Sequence, residues 1–281
     1  MTIAENLFRS ALHLTAPWTI SSLKFNEGER KLEIWIDFPK GSKFPCPECN
    51  TLDCSVHDTN KRTWRHLDFF EHQTYLHGRI PRIICPHCGV RQVKVPWARE
   101  NSGFTLLMEA LFLLFAQTMQ ISQIEKKFGL RDKQIWRVID HYVKEAINTA
   151  DFSEVISVGV DETSRRKGHE YITVFADLDT GRVIHICKGK DSATLRSFAD
   201  SLNSHNGSLE QISNFCIDMS TAFIKGIKDI FPNASIIFDK FHVMKLVNGA
   251  LDEVRRIEQK LNGFLKNKTR TYPWVHSTKI F

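Results

Sequence analysis

Nowhere does the chain hold the ~18 uninterrupted apolar residues of a membrane-spanning helix. Its best candidate, Phe104–Met119, carries Glu109 and Gln117 and reads instead as a buried helix. The amino terminus, MTIAENLFRS, lacks a charged start followed by a long apolar core, so no signal peptide is predicted. An even cysteine set is missing too: there are seven, and four of them fall in two Cys-x-x-Cys pairs. That pattern argues against a disulfide framework and for metal binding in a reducing cytoplasm. Acids are scarce in one region. Between Lys61 and Arg99 stand eight Lys or Arg against two Asp or Glu, an excess equal to the +6 of the whole 281-residue chain. A concentrated basic stretch of this kind suggests a polyanionic partner.

What is present suits a protein of two or three modest domains with an ordinary core, at 42% hydrophobic and 25% charged residues. Residues 1–40 hold two strand-like runs, Trp18–Phe25 and Lys31–Phe38, separated by Asn26-Glu27-Gly28-Glu29, which reads as a hairpin. Next come Cys46-Pro47-Glu48-Cys49 and, 36 positions on, Cys85-Pro86-His87-Cys88. A two-residue gap lets both thiolates of a pair turn towards one ion, and two pairs supply the tetrahedral sulfur set that Zn²⁺ prefers. Residues 41–95 are thus expected to form a zinc-ribbon-like module held by Cys46, Cys49, Cys85 and Cys88, with Cys54 and His57 as bystanders. Redox use of one pair is the rival, but its usual strand-then-helix context is missing. Arg62, Arg65 and Arg82, interleaved with Trp64 and Tyr75, are candidate DNA contacts.

After Pro96 the periodicity turns helical. Phe104–Gln117 forms one helix, and Ser122-Gln123-Ile124-Glu125 has the form of a capping box opening a second. Asp132 caps a third helix running to about Ile147. Residues 96–150 read as a helix-turn-helix domain whose outward face carries Lys133, Gln134 and Arg137, suited to the major groove.

From residue 151 three strands follow, the first ending on Asp161, then a helix, a strand ending on Asp218, a helix, and a strand ending on Asp239, with His242 just beyond. This βββαβαβ order is that of the ribonuclease-H-like fold. Its first, fourth and fifth strands run side by side in one direction, so the three aspartates gather at one sheet edge. Carboxylates that close together repel unless a cation sits among them, and two Mg²⁺ ions would serve phosphodiester chemistry.

The segments GVDETSRRKGHEYITVFADLDTGRVIHICKGKD and CIDMSTAFIKGIKDIFPNASIIFDKFHVMKLVNGALDEVRR resemble insertion-sequence transposases of the ISL-three family, as does the order of zinc module, helix-turn-helix and DDE-type domain. The resemblance implies that Asp161 and Asp218 are the first two catalytic acids, and that Asp239 and His242 form a supporting Asp-x-Phe-His segment. It also implies structural Zn²⁺, catalytic Mg²⁺ or Mn²⁺, and action on double-stranded DNA at terminal inverted repeats and target sites. A homodimer or larger synaptic assembly in the bacterial cytoplasm, associated with the nucleoid and with no membrane partner, follows from the same likeness. In that family a third acid, a glutamate, lies well downstream of Asp-x-Phe-His, whereas no Asp or Glu here follows Glu258. Glu253 and Glu258 read as exposed helix-face charges. The expectation is therefore a multidomain α+β and α/β protein with an incomplete DDE domain at 151–265 and an irregular tail at 266–281. Such a chain binds DNA but cuts it poorly, or acts as a fragment that regulates transposition.

Overall fold

The computed structural model describes residues 2–166 and 170–261, with the side chains of 165 and 166 also outside the description. Two compact units divide between Glu145 and Ala146. The expected tail at 266–281, and the end of the basic run from Arg255 to Arg270, lie outside the described residues.

The first unit begins with a helix that the sequence reading did not anticipate, α1 (Ile3–Ala11), started by a reciprocal cap between Thr2 and Glu5. Strands β1 (Thr19–Asn26) and β2 (Lys31–Asp37) form the expected hairpin. They are not a separate segment, however. Strand β2 pairs in parallel with β5 (His72–Cys85), so residues 1–40 share one six-stranded sheet with the zinc module. The reason is burial: Leu32, Ile34 and Ile36 alternate onto a core face that the hairpin alone could not cover. The sheet is completed by β3 (Lys43–Phe44), β4 (Cys54–Phe69) and β6 (Gly89–Gln92), with β4 and β5 forming its long antiparallel arm. Trp18, Trp64 and Trp97 meet edge to face in its core.

Three helices follow in the same unit. Thr105 caps α2 (Leu106–Ala116) through its side chain. The second helix, α3 (Ile121–Phe128), starts two residues earlier than the sequence suggests. Its reciprocal cap pairs Gln120 with Gln123 rather than Ser122 with Glu125. Gly129, at φ +62°, adopts the left-handed turn that stops α3. Helix α4 (Asp132–Asn148) then packs Ile135 and Val138 against Met108, Phe112 and Ile124. Under these helices Glu109 is fully buried, and it accepts hydrogen bonds from Arg99, Ser102 and Tyr142.

In the second unit, β7 (Ser157–Arg166), β8 (Glu170–Asp177) and β9 (Val183–Lys188) form an antiparallel meander. After α5 (Ser192–Ser204), β10 (Asn214–Ile217) pairs in parallel with β7. After α6 (Thr221–Ile230), β11 (Ser235–Phe238) pairs in parallel with β10. The sheet order β11-β10-β7-β8-β9 is the ribonuclease-H-like order read from the sequence. Helices α5 and α6 bury Leu195, Phe198, Phe223 and Ile227 against Val158, Phe175 and Phe215. They approach closely at Gly226, where an added Cβ would meet Leu195 at 2.5 Å. Helix α7 (Lys240–Leu261) closes the described chain and has no buried residue. Among the described residues no helix is long and apolar enough to cross a membrane.

One expectation is corrected here. The first strand does not stop at Asp161 but continues to Arg166, because β8 keeps pairing with it, Asp161 opposite Val174 and Thr163 opposite Ile172. The polar run after Val160 looks like a loop in sequence only because this end of the hairpin has little to bury.

Candidate metal centre, nucleic-acid face and carboxylate row

The two cysteine pairs sit where strands turn. After β3 the chain folds back at Cys46, whose N–H donates to the Thr51 carbonyl and whose carbonyl accepts from Asn50 N–H. Cys85 ends β5, and Gly89, at φ +73°, turns the chain into β6. The ligand atoms of Cys46, Cys49, Cys85 and Cys88 all lie within 4.8 Å of one another, with Cys49 and Cys85 Sγ 3.4 Å apart. Four sulfurs about 2.3 Å from one tetrahedral ion are about 3.8 Å from each other, so this set fits structural zinc. Burial pushes the Cys85 thiol up, but the backbone N–H groups of Cys88 and His87 outweigh it and bring it down to about 6. Hydrogen bonding to Cys49, then burial, pushes the Cys88 thiol up to about 12. Hydrogen bonds from Thr51 pull the Cys49 thiol down as well, so two of the four sulfurs are eased towards the thiolate form that binds a divalent cation. Cys54 stays outside the tetrad, its Sγ directed to the Thr51 carbonyl.

The six residues expected to meet DNA fare differently. Lys133 and Arg137 are exposed on α4, with no side-chain partner among the described residues. Gln134 is half-buried, and its Oε1 accepts from Arg131 N–H, so it helps start the helix. Arg65 is a correction. It is 5% exposed, and its guanidinium donates to the carbonyls of His66 and Thr74 and pairs with Asp68, which makes it a brace inside the sheet. Arg82 makes a two-pronged pair with Asp58. Arg62 lies over the Trp64 ring and donates to the Ser102 carbonyl. Trp136, unmentioned by the sequence reading, is 52% exposed between Lys133 and Arg137. The signal was available: a tryptophan off the apolar stripe of a predicted helix.

In the second unit the register aligns the acids. Cys216 of β10 pairs with Gly159 on one side and Ile237 on the other. Continuing by two residues brings Asp161, Asp218 and Asp239 into one row, just where β10 ends and β7 runs on. Asp161 Oδ1 accepts from Glu162 N–H at 2.8 Å, and Asp218 Oδ1 accepts from Ser220 N–H at 2.9 Å as α6 begins. The second oxygen of each accepts no hydrogen bond among the described residues. Asp239 pairs with His242 Nδ1 at 2.8 Å, and that bond, with one from Phe241 N–H, holds its carboxyl below the usual range. Glu162 carries no signal in the sequence, because it follows the apolar run that ends at Asp161. It alternates onto the helix-covered face opposite Thr173, and burial, then the nearby Asp218, pushes its carboxyl up against the pull of Lys190. Among the described residues the cysteine tetrad alone brings three or more ligand atoms within 4.8 Å, so the acids share a row without closing into a triad.

Comparison with known proteins follows the same division. Residues 42–88 match the zinc-finger of transposase IS204/IS1001/IS1096/IS1165, residues 93–143 the helix-turn-helix domain of transposase family ISL3, and residues 158–279 the ISL3 DDE family described as transposase. The transposase for insertion sequence element IS1557 of Mycobacterium tuberculosis is 29% identical over 257 residues, 89% of this chain and 57% of that protein. The transposase for IS1001 of Bordetella parapertussis is 28% identical over 228 residues, 80% and 55%. The chain thus spans a little over half the length of the curated relatives it matches. The integrase catalytic core domain of HTLV-2 in complex with magnesium overlaps at 17% identity, covering 43% of this chain and 79% of that one. Its TM-score of 0.25 is too low to add to the strand order. Zinc ribbon, helix-turn-helix and DDE domain follow one another along the sequence, and the chain belongs to the ISL3 family of insertion-sequence transposases.

Proposed function

We propose that this chain acts in DNA transposition, binding the terminal inverted repeats of an insertion sequence through α4 and the zinc module and carrying a phosphodiester-cleaving site at Asp161 and Asp218. The observation that carries the proposal is the single register row of Asp161 and Asp218, each with one carboxylate oxygen tied to a backbone N–H and the other without a partner among the described residues. Those two side chains would hold Mg²⁺ or Mn²⁺. A cation held there would supply the charge that activates a water or 3′-hydroxyl and stabilises the leaving oxygen. Asp239, fixed by His242, orients the carboxyl end of β11 beside them. The cysteine tetrad takes structural Zn²⁺ and keeps the basic sheet in shape. Lys133 and Arg137 enter the major groove, and Arg62 and Arg82 line the module beside it. The partners are the repeat ends, then target DNA, in a homodimer or larger synaptic assembly at the bacterial nucleoid.

A second reading has one observation in its favour. Because no third acid joins Asp161 and Asp218 within ligand distance among the described residues, the chain also suits a DNA-binding regulator that occupies element ends without cutting them. A cleavage assay on a duplex carrying the element's own terminal repeats, with and without Mg²⁺, separates the two. Metal-dependent 3′-end cleavage that Asp161→Asn abolishes supports the catalytic reading. Tight binding with no cleavage leaves the regulator.

A further inference from the structure

In the first unit a cleft of about 370 Å³ opens between the zinc-held sheet, the 92–100 connector and α4. Trp64 is fully buried beneath the cleft, under Arg62, and Arg62, Lys94, Arg99 and His141 stand around the opening with one acid, Glu100. Arg99 is matched by the buried Glu109. Arg62 uses one N–H on the Ser102 carbonyl and keeps its others. Lys94 is exposed and has no hydrogen-bond or ion-pair partner among the described residues. The cleft therefore has cationic walls and, Val95 apart, little accessible apolar surface, which suits the phosphate of a sugar–phosphate chain.

The position of the cleft on the helix argues the same way. Lys133, Arg137, His141 and Lys144 recur at three- and four-residue intervals and share the exposed face of α4. From Lys133 to His141 the helix rises about 12 Å. The major groove of B-DNA is about 12 Å wide. With Lys133 and Arg137 at base edges, His141 reaches the wall of the groove, where the backbone runs, and the cleft begins at that residue.

We propose that this cleft seats a backbone phosphate of the duplex whose major groove α4 enters, with Lys94, Arg62 and His141 as its contacts. The inference rests on the DNA-binding reading above and adds to it a site shared by the zinc module and α4. The test is fluorescence anisotropy with a labelled duplex of the element's terminal repeat and a scrambled duplex, from 50 to 200 mM salt. The variants are Lys94→Ala, His141→Ala, Arg137→Ala and, as a control for one lost surface charge, Lys24→Ala. Loss of one phosphate contact lowers the slope of log K against log salt by about 0.9, so Lys94→Ala should lose about 3.5-fold less affinity across that salt range than the unmodified chain. Its preference for the repeat over the scrambled duplex should stay unchanged, while Arg137→Ala reduces it. Unaltered zinc content and circular dichroism exclude misfolding as the cause. If Arg137→Ala weakens binding but Lys94→Ala and His141→Ala behave like Lys24→Ala, the cleft proposal is overturned and the DNA reading stands. If the unmodified chain binds neither duplex, both fall.

Discussion

His66 lies on β4 beside the start of the helical part of the first unit, and its Nδ1 meets the hydroxyl of Thr105, the residue that caps α2. Burial, reinforced by the neighbouring Arg65, pulls its imidazole down from 6.5 to about 4. The sign of the effect is fixed by linkage. Between those two pH values the unfolded chain binds a proton that the folded chain does not, so stability is full above pH 6.5 and is lost as pH falls towards 4. The loss is on the order of 3 kcal/mol for a shift of this size. Denaturant melts of the first unit between pH 7 and pH 4 should show it, and His66→Gln should flatten that part of the profile. An unchanged slope in the variant would assign the acid sensitivity elsewhere. At this scale the cysteine tetrad was plain in the sequence, because a two-residue gap repeated twice has few other uses. Arg65 was not, since a guanidinium buried among carbonyls and one facing solvent are the same letter until the strands are paired.

Among the elements, α4 matters most for the proposed role, and its seat depends on one carboxylate. Glu109 on α2, itself fully buried, receives Tyr142 from α4 and Arg99 and Ser102 from the segment before α2. Burial and then Glu109 itself push the Tyr142 hydroxyl up to about 12, so it stays a donor throughout the physiological range. Removing one partner of a buried pair strands the other, and Glu109→Ala should cost about 3–5 kcal/mol. Tyr142→Phe should cost about 1 kcal/mol. Chemical denaturation of both variants checks the order; equal losses would mean that Arg99 finds another partner. The sequence exposed this helix group through its apolar period, but Glu109 looked like the flaw in an apolar run when it is the tie between helices. Strand order in the second unit was equally legible. The true end of β7 was not, because a strand edge that buries little leaves no alternation to read.

For the whole molecule, two compact units with a metal-ready tetrad in the first predict two different responses to chelation. Stripping zinc, or Cys85→Ser, should melt the first unit, since structural zinc contributes folding free energy directly, and should end DNA binding. The ribonuclease-H-like unit should keep its own transition in calorimetry. One shared transition, shifted as a whole by a chelator, would contradict this. The relation to insertion-sequence transposases was readable because spacing and order of motifs survive at 29% identity. The closeness of the acids was not, since ligand distance depends on side chains and register together.

The parallel pairing of β2 with β5 has a further consequence, for biosynthesis. Lys31 pairs with Gln73, so the amino-terminal hairpin leaves the ribosome well before the strand that completes its sheet. Ile34 and Ile36 wait uncovered in the meantime, and non-local pairing of this kind is slow to form. Cys85 ends the very strand they wait for, and Cys88 follows three residues later. Closing the sheet and capturing the ion are thereby timed to the same moment of translation, and a cell short of zinc would meet this protein first as a nascent chain with an open sheet.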